Sequence, residues 1–533
     1  MPARTHSPSR SHRALLPALL LGLLGGAPVL HAEDVTNGDP VDALAELATE
    51  IEILRARNGQ LADRLDAADG AGWLNTERTA EIRGIVTDVL ADSRNRTMLQ
   101  ASGVTSGYSS GDGFHLASAD GGFTLRVQGQ LQVRWVLNHN PSGQDYSNAN
   151  YAVDSFNDTS SVDGSKTAWG FQVRRAKVKF KGSVLDDSWR YQINGAFSSS
   201  SGSFAFEDVM ISKHYDNGLA VTLGQFKVPF TREELVSSRK QLAVDRSLVN
   251  AFFGSGRGLG VDVRYRDEDL SLEGYYGNGM RTAVENSPLF TSSADNPTEY
   301  AFAGRVQWKL AGDWSQFKDF NAGLSEKTAV MIGLAGMSQR YNQNASASTL
   351  LAPLAPPNGT PTGYAGGGTL DGTTVSGVTA DISAKFDNVS LFGAVVWQQY
   401  DLDGSWQSQI IGNQSLGGST NPWGFLVQGG YALTETFELF ARYAFTNADF
   451  GSITLPQPGP PPGPYALGSM KTSVITLGVN HFINDNVKFT ADWGINLDSP
   501  MIGVNQGSLQ GLGWGYTNAR YQWVLRGQIQ LLF

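Results

Sequence analysis

The sequence contains no cysteine, which excludes disulfide bonds, thiolate metal sites and cysteine nucleophiles. Charged residues make up only 17% of the chain, and a net charge of −10 argues against nucleic acid as a partner. Beyond the N-terminal region, no segment approaches the roughly 18 consecutive apolar residues that a membrane-spanning helix needs. There is neither a His-Glu-x-x-His motif nor a phosphate-binding Gly-Lys-Ser/Thr loop. We therefore expect no enzyme, no metal site and no cofactor.

The N-terminus has the pattern of a secretory signal. Arg4, Arg10 and Arg13 precede a short apolar run at 15–24, and a small-residue end follows at His31-Ala32. This run is too short to cross a bilayer as a helix. We expect residues 1–32 to be removed on export, so any membrane insertion must use strands.

The next segment, 33–100, has the pattern of a helix. Apolar residues recur at alternate spacings of three and four positions, at Leu44, Leu47, Ile51, Leu54, Leu61 and Leu65. Asn58 occupies the a position between Leu54 and Leu61 in this heptad pattern. A polar residue at such a position sets register and oligomer state, so we predict a short periplasmic coiled coil. The alternative is a single amphipathic helix. The Gly/Ser-rich stretch at 101–121 is predicted to be a linker.

From Phe123 onward the hydrophobic period changes to two. Phe123, Leu125 and Val127 alternate with polar residues, and the pattern continues for about 15 residues. Soluble sandwiches and propellers also alternate, but their strands average about 5–6 residues. Long strands with one apolar face suit a tilted membrane crossing. We predict an all-β, antiparallel transmembrane barrel of about 16 strands over 122–533, in an outer membrane of the Gram-negative type.

The connections between these strands support the same fold. Short Asn/Asp/Gly turns alternate with long connections, which cover roughly 139–168, 229–257, 278–299, 341–371, 401–422, 447–470 and 498–518. Two connections break this rule, because the one at 311–327 is long and the one near Ser199 is short. Short periplasmic turns and long external loops are typical of outer-membrane barrels. This pattern places the first and the last residue of the barrel segment on the periplasmic side.

One strand carries an unbroken row of cations. Arg175, Lys177, Lys179 and Lys181 share a face, and placing them in lipid would cost several kcal/mol each near the midplane. This face is therefore predicted to line the pore, where cations guide anions. The other predicted pore-lining cations are Arg126, Arg134, Arg190, Lys227, Arg264 and Arg305. Acidic neighbours such as Asp262 and Asp381 could instead neutralise the wall.

The third external connection is a second candidate for function. It is rich in cations, and a loop folded into the lumen would narrow the pore and set its selectivity. The alternative is an ordinary surface loop with solvated charges. The candidate constriction residues are Arg232, Arg239, Lys240, Arg246 and Arg257.

Several segments carry a resemblance to a known family. They are Phe123-Thr-Leu-Arg-Val-Gln-Gly-Gln-Leu-Gln, Arg174-Arg175-Ala176-Lys177, and Gly224-Gln-Phe-Lys-Val-Pro-Phe-Thr-Arg-Glu-Glu-Leu-Val-Ser-Ser238, followed by Asp245-Arg246-Ser247. Over roughly 114–533 the chain resembles the phosphate-selective porin O/P family, in a long form with a helical N-terminal extension like those of planctomycete porins. Asp245-Arg246 stands where the family often has Glu-Arg. The resemblance implies a trimeric 16-stranded barrel, a constriction near the third loop and anion passage lined by Arg and Lys.

The sequence thus predicts an outer-membrane porin for passive diffusion of small anions such as phosphate. Its expected partners are membrane lipid, two further copies in a homotrimer and small anionic solutes. A non-selective or carbohydrate-type porin is the alternative within transport. A structural tether, whose helical segment binds the cell wall, is the alternative from another class.

Overall fold

The computed structural model describes residues 52, 55, 56, 59, 104–110, 113–141, 166–197, 202–280, 298–341, 372–408, 414–449, 454–456, 464–466, 469–498, 514 and 520–533. The chain divides into two units, residues 1–100 and 101–533. In the first unit the described residues are all helical. The predicted signal peptide and the predicted coiled-coil positions, including Asn58, lie outside the described residues.

The second unit is built almost entirely of strands. In chain order they are β1 (Val104–Ser109), β2 (Gly113–Ser118), β3 (Phe123–His139), β4 (Thr167–Val184), β5 (Asp186–Phe197), β6 (Phe204–His214), β7 (Leu219–Lys227), β8 (Arg257–Arg266), β9 (Leu270–Gly277), β10 (Thr298–Ala311), β11 (Glu326–Tyr341), β12 (Thr374–Asp387), β13 (Val389–Ser408), β14 (Gln414–Thr420), β15 (Trp423–Ala432), β16 (Phe437–Asp449), β17 (Thr454–Pro456), β18 (Pro464–Ala466), β19 (Ser469–Phe482), β20 (Val487–Asn496) and β21 (Trp523–Leu532).

Sixteen of these strands close into one antiparallel barrel. Consecutive pairing runs from β3 to β13, then through β15, β16, β19, β20 and β21. The last strand pairs with the first, with Trp523 opposite His139 and Leu532 opposite Gln130. No edge strand is left in this ring, which is how a sheet satisfies its backbone groups in lipid. The predicted barrel of about 16 strands is confirmed.

The segment predicted to be a linker, 101–121, contains a hairpin instead. Strands β1 and β2 pair with each other, and β2 continues onto β3, with Phe114 opposite Val127. Composition suggested a linker because Gly and Ser dominate the first part of this stretch. The exposed edge of β3 beyond the end of β21 supplies the hydrogen bonds that fix the segment as a strand. Strands β14, β17 and β18 lie in two of the long connections.

The connections alternate as predicted. Short turns join β4 to β5, β6 to β7, β8 to β9, β12 to β13, β15 to β16 and β19 to β20. The first residue of the barrel, Phe123, and the last residue of its final strand, Leu532, both lie at the rim that carries these turns. The connection between β10 and β11, residues 312–325, is the long one at this end.

The two faces of the wall differ as the alternation requires. On β10, Phe302, Val306 and Trp308 are 49%, 43% and 57% exposed on the outer face, whereas Arg305 and Gln307 on the inner face are buried. An apolar outer surface matches hydrocarbon, and a polar inner surface matches a hydrated lumen.

Within the described residues of the second unit, helices are few and short. They are α1 (Arg232–Leu235), α2 (Leu248–Phe253) and two 3-10 turns at Ser238–Lys240 and Gln316–Lys318. No helix within the described ranges is long and apolar enough to cross a membrane.

Candidate functional site

The connection between β7 and β8, residues 228–256, lies inside the barrel; we call it the lumen loop. Its backbone bonds to inward-facing side chains of distant strands. Val244 N donates to Asp492 Oδ2 at 3.0 Å, and Asn480 Nδ2 donates to Leu242 O at 2.9 Å. Gln398 Nε2 donates to Phe253 O at 3.1 Å. These bonds satisfy polar groups that burial would otherwise leave unpaired, so they hold the loop within the lumen.

Apolar residues of the lumen loop form a core within the lumen. Phe230, Phe252 and Phe253 are fully buried, and they pack in one cluster with wall residues such as Val396 and Leu426. Helix α2 provides two of these rings, and the Ser247 side chain caps it by accepting a hydrogen bond from Asn250 N. The loop is therefore a packed structural element and not a solvated surface connection.

Residues 312–325, which we call the lumen turn, meet the lumen loop from the opposite end. Arg232 Nη2 donates to Phe317 O at 2.5 Å, and Phe320 N donates to Lys240 O at 3.4 Å. The ring of Phe320 packs on that of Phe392 with centroids 4.6 Å apart. This turn is longer than the other turns at its end of the barrel, and its additional residues enter the lumen. Together the two elements fill much of the space beside β10–β21.

A cavity of about 1010 Å³ lies in the lumen along β3–β9. Among the residues that the structure describes, twelve arginines and lysines line this cavity, against six aspartates and glutamates. The cations are Arg126, Arg174, Arg175, Lys177, Lys179, Lys181, Arg190, Lys227, Arg239, Arg246, Arg257 and Arg264. The anions are Asp187, Glu207, Asp208, Glu234, Asp262 and Glu273. An excess of cations over anions makes the electrostatic potential of such a cleft positive.

A β-bulge on β4 turns two consecutive arginines into the lumen. Gln132 of β3 pairs with Arg175 and the next residue pairs with Val173, so Arg174 is the inserted residue. Arg174 Nε and Arg175 Nη2 reach the same oxygen, Oδ1 of Asp245, at 3.0 and 2.9 Å. Arg134 Nη1 also donates to Asp245. One loop carboxylate thus gathers three wall arginines.

A second bulge on β6 turns two consecutive acids into the lumen. Asn194 of β5 pairs with Asp208 and the next residue pairs with Phe206, so Glu207 is the inserted residue. Arg257 Nε donates to Asp208 Oδ1 at 2.6 Å, and its Nη2 donates to Glu207 Oε2 at 3.2 Å. Lys177 also donates to Glu207.

Two carboxylates of the lumen loop, Glu234 and Asp245, are held in their charged form. Burial alone would raise the pKa of Glu234, but the nearby cations Arg246 and Lys227 bring this pKa down to about 2. The pKa of Asp245 is likewise shifted well below its usual range, because its three arginines outweigh the effect of burial. Within the described part of the chain, no group of three or more His, Asp and Glu side chains is placed to hold a metal ion.

A family model describing the phosphate-selective porins O and P matches residues 146–496, about two thirds of the chain. The chain belongs to this porin family. Family and closed barrel together make it an outer-membrane channel, and they point to a channel rather than to an enzyme.

Several solved porins are similar to this chain. The anion-selective porin from Comamonas acidovorans is 13% identical over 77% of this chain and 100% of that chain, with a TM-score of 0.46. OmpF of Salmonella typhi, in a complex with daunomycin, is 12% identical over 77% of this chain and 98% of that chain, with a TM-score of 0.45. At such scores these likenesses carry no conclusion about solutes. A search of curated proteins finds no match.

The porin brings most of the predicted site residues together. Of the predicted pore-lining cations, eight line the cavity: Arg126, Arg175, Lys177, Lys179, Lys181, Arg190, Lys227 and Arg264. Arg134 and Arg305 do face inward but are buried in ion pairs, with Asp245 and with Asp381 at 2.7 Å. They support the lumen loop, and Arg305 Nη1 also donates to Phe230 O at 2.9 Å.

The five candidate residues of the constriction divide in the same way. Arg239, Arg246 and Arg257 line the cavity. Arg232 is buried away from it, where its Nε donates to Ser383 Oγ at 2.9 Å. Lys240 lies 3.8 Å from Asp319 of the lumen turn. The loop cations therefore serve two purposes, since some face the open lumen and others join the loop to the turn.

Sequence reasoning missed Arg174, Glu207, Asp208 and the role of Asp245 in this porin. A strict period of two places only one of two adjacent residues in the lumen, so each bulge conceals one inward charge. The adjacent pairs Arg174-Arg175 and Glu207-Asp208 are themselves a usable signal. Two like charges in succession inside a long barrel strand would otherwise put one of them in lipid.

Proposed function

We propose that this porin passes small anions, phosphate among them, in preference to cations. The observation that carries the proposal is the cavity wall, where twelve cations face six anions among the described residues. The imbalance is greatest on β3–β5. On these three strands seven cations, among them Arg126, Lys179 and Lys181, line the cavity together with one acidic residue, Asp187.

The arrangement suits transport better than tight capture. Register places Arg126 opposite Lys181 and Gln128 opposite Lys179, so the cations stand at successive levels along the wall. An anion can pass from one level to the next, because neighbouring sites of similar attraction allow both entry and release. Polar neighbours such as Gln192 line the same path.

Ion selectivity of the purified porin in planar bilayers tests the proposal. Under a KCl gradient we expect a reversal potential of the sign that anion preference produces, and we expect added phosphate to reduce the chloride current. A reversal potential near zero would favour the non-selective or carbohydrate-type porin, and one of the opposite sign would overturn the proposal.

The double variant Lys179→Gln/Lys181→Gln locates the preference. We expect it to lower the anion-to-cation permeability ratio about threefold, in line with the loss of two charges in a hydrated pore. Lys213→Gln is the matched control, because Lys213 is on the outer face of β6, where its Nζ lies over the Trp189 ring. An unchanged ratio in the double variant would show that the wall of β4 does not set selectivity.

We also propose that the porin is exported with its signal at 1–32 and assembles as a homotrimer. The support for the trimer is the heptad pattern with Asn58 in an a position, together with the family resemblance. Deleting 33–100 shows whether the trimer is held by contacts between barrels or by the helical segment. If the mass of the detergent-solubilised oligomer stays that of three chains, barrel contacts suffice. A fall to one chain assigns the assembly to the helical segment, and a wild-type mass other than three chains refutes the trimer.

A further inference from the structure

We propose that Glu207 and Asp208 are specificity-determining residues that limit the anion preference of the channel. The inference rests on the proposed function, since it concerns the strength of that preference. The two carboxylates lower the attraction of the wall for anions and so shorten the time that an anion stays bound.

The first argument is the placement of the pair. Without a bulge, one of two adjacent strand residues would point into lipid, and a carboxylate there is costly. The inserted Glu207 restores the inward direction to both, because Phe206 and Val209 on either side of the pair follow the outer-face parity. The fold thus departs from regular pairing at the point where two negative charges enter the lumen.

The second argument is what the pair contacts. Glu207 binds both Lys177 and Arg257, and Asp208 binds Arg257 through a 2.6 Å bond. The amide of Asn194 donates to both carboxylates, at 2.9 Å to Glu207 and 3.1 Å to Asp208. Two cavity-lining cations that could meet a solute anion are therefore engaged by wall carboxylates.

The third argument compares this pair with Asp245, the acid that gathers three arginines. The Asp245 side chain is 1% exposed and does not line the cavity, so it acts on the loop. The side chains of Glu207 and Asp208 are 19% and 13% exposed and do line the cavity. A passing solute therefore meets the charges of Glu207 and Asp208 directly.

The consequence follows from the requirements of conduction. A pore must attract its ion enough for entry but release it quickly, so an uncompensated cluster of cations would hold a multivalent anion too long. Carboxylates beside Lys177 and Arg257 weaken this attraction through Coulomb interactions in a partly hydrated site. The pair thereby favours rapid passage of anions over their retention.

The test uses the isosteric variants Glu207→Gln, Asp208→Asn and their combination in the full-length porin. Each variant keeps a side-chain carbonyl for the hydrogen bonds from Asn194. We expect the anion-to-cation permeability ratio to rise in each single variant and about threefold in the combined variant, which loses two charges, and phosphate to block chloride current at correspondingly lower concentration. Asp216→Asn is the matched control, because it removes the same charge from the exposed turn between β6 and β7, and Asp216 does not line the cavity.

The outcomes separate this inference from the proposed function. The sign of the wild-type reversal potential tests anion preference itself, whatever the variants do. An unchanged ratio and unchanged phosphate block in the combined variant would overturn the inference while leaving that preference intact. A purely structural role would lower the unfolding temperature without moving the ratio, so circular dichroism of each variant in detergent completes the test. A rise in the ratio with intact folding supports the inference even if the wild type proves non-selective.

Discussion

At the scale of single residues, Asp245 is the clearest case of one carboxylate that holds several arginines in place. It is buried against Arg134, Arg174 and Arg175, and its own backbone carbonyl accepts a bond from Arg442 Nη1 at 2.8 Å. Removing one partner of a buried ion pair leaves an uncompensated charge, which typically costs about 3–5 kcal/mol. Three arginines sharing one carboxylate make this loss harder to absorb.

We predict that Asp245→Asn destabilises the barrel by about 3 kcal/mol or more and releases the lumen loop. The measurement is denaturant unfolding of the folded porin, combined with single-channel recording, in which a released loop adds current fluctuations. Asp216→Asn, in the exposed turn between β6 and β7, removes the same charge and serves as the control. Equal stability of the two variants would show that Asp245 does not hold the loop.

Glu234 gives a prediction about pH. Its pKa in the folded loop is depressed to about 2, against an ordinary value near 4.5. A depressed pKa stabilises the fold fully above the ordinary value, and this contribution, about 3 kcal/mol, is lost as pH falls towards 2. We expect Glu234→Gln to remove this part of the acid sensitivity, so that its unfolding free energy changes less between pH 5 and pH 2 than that of the wild type. Parallel curves for the two proteins would contradict the assignment.

Residues were predictable where the period of two held. The inward placement of Lys177, Lys179 and Lys181 follows from alternation alone, and the structure places all three at the cavity. Arg174 and Glu207 could not be placed, because a bulge changes the parity of a strand without changing its composition. The burial of Arg305 was also out of reach, since it depends on Asp381, which lies two strands further along the barrel wall.

At the scale of elements, the strands were predictable and the contents of the lumen were not. Long alternating segments predict strands by their period of two, whereas the sequence of a loop does not indicate whether it folds into the lumen or away from it. The lumen loop packs inside because Phe230, Phe252 and Phe253 need an apolar partner, and inward-facing Val396 and Leu426 provide one. Those wall residues lie more than a hundred positions away, so no local pattern connects them.

The lumen turn supplies a prediction at this scale. Phe320 is buried, packs on Phe392 and lies 5.8 Å below the Arg232 guanidinium. Replacing a buried phenylalanine by alanine typically costs about 3–5 kcal/mol. We expect Phe320→Ala to loosen the contact between turn and loop, which single-channel recording detects as a larger and less steady conductance.

The matched control for Phe320 is Leu324→Ala in the same turn. Leu324 is 42% exposed, so its truncation removes little packing. A steady, wild-type conductance in Phe320→Ala would mean that the lumen loop keeps its position without the turn.

At the scale of the whole molecule, closure of the barrel depends on the meeting of β3 and β21. The even number of strands could be predicted from the sequence, because almost every membrane-spanning strand repeats the same alternation of apolar and polar residues. A closed ring was also expected, since only a sheet without edges satisfies its backbone groups in lipid. It did not show how the ends are joined. Gly129 N donates to Phe533 O at 2.5 Å, and Phe533 N donates back to Gly129 O at 3.2 Å, so the terminal residue completes the seam.

Gly129 lies directly against the Phe533 ring at this seam. A Cβ built there would lie only 2.2 Å from Cζ of the Phe533 ring, so any larger residue must displace the ring. We predict that Gly129→Val lowers stability by about 1 kcal/mol, the low end of the usual effect of overpacking, because Phe533 is 54% exposed and its ring can turn aside, and because valine is a better strand former than glycine. Gly527→Val on the adjoining strand is the control, because its Cβ would lie 3.9 Å from the nearest ring atom, Cζ of Phe489. Thermal unfolding in detergent gives both values. The cause is isolated in a Phe533→Ala background, where the clash is absent: Gly129→Val should then be harmless, and a loss of the same size there would place the defect outside the seam.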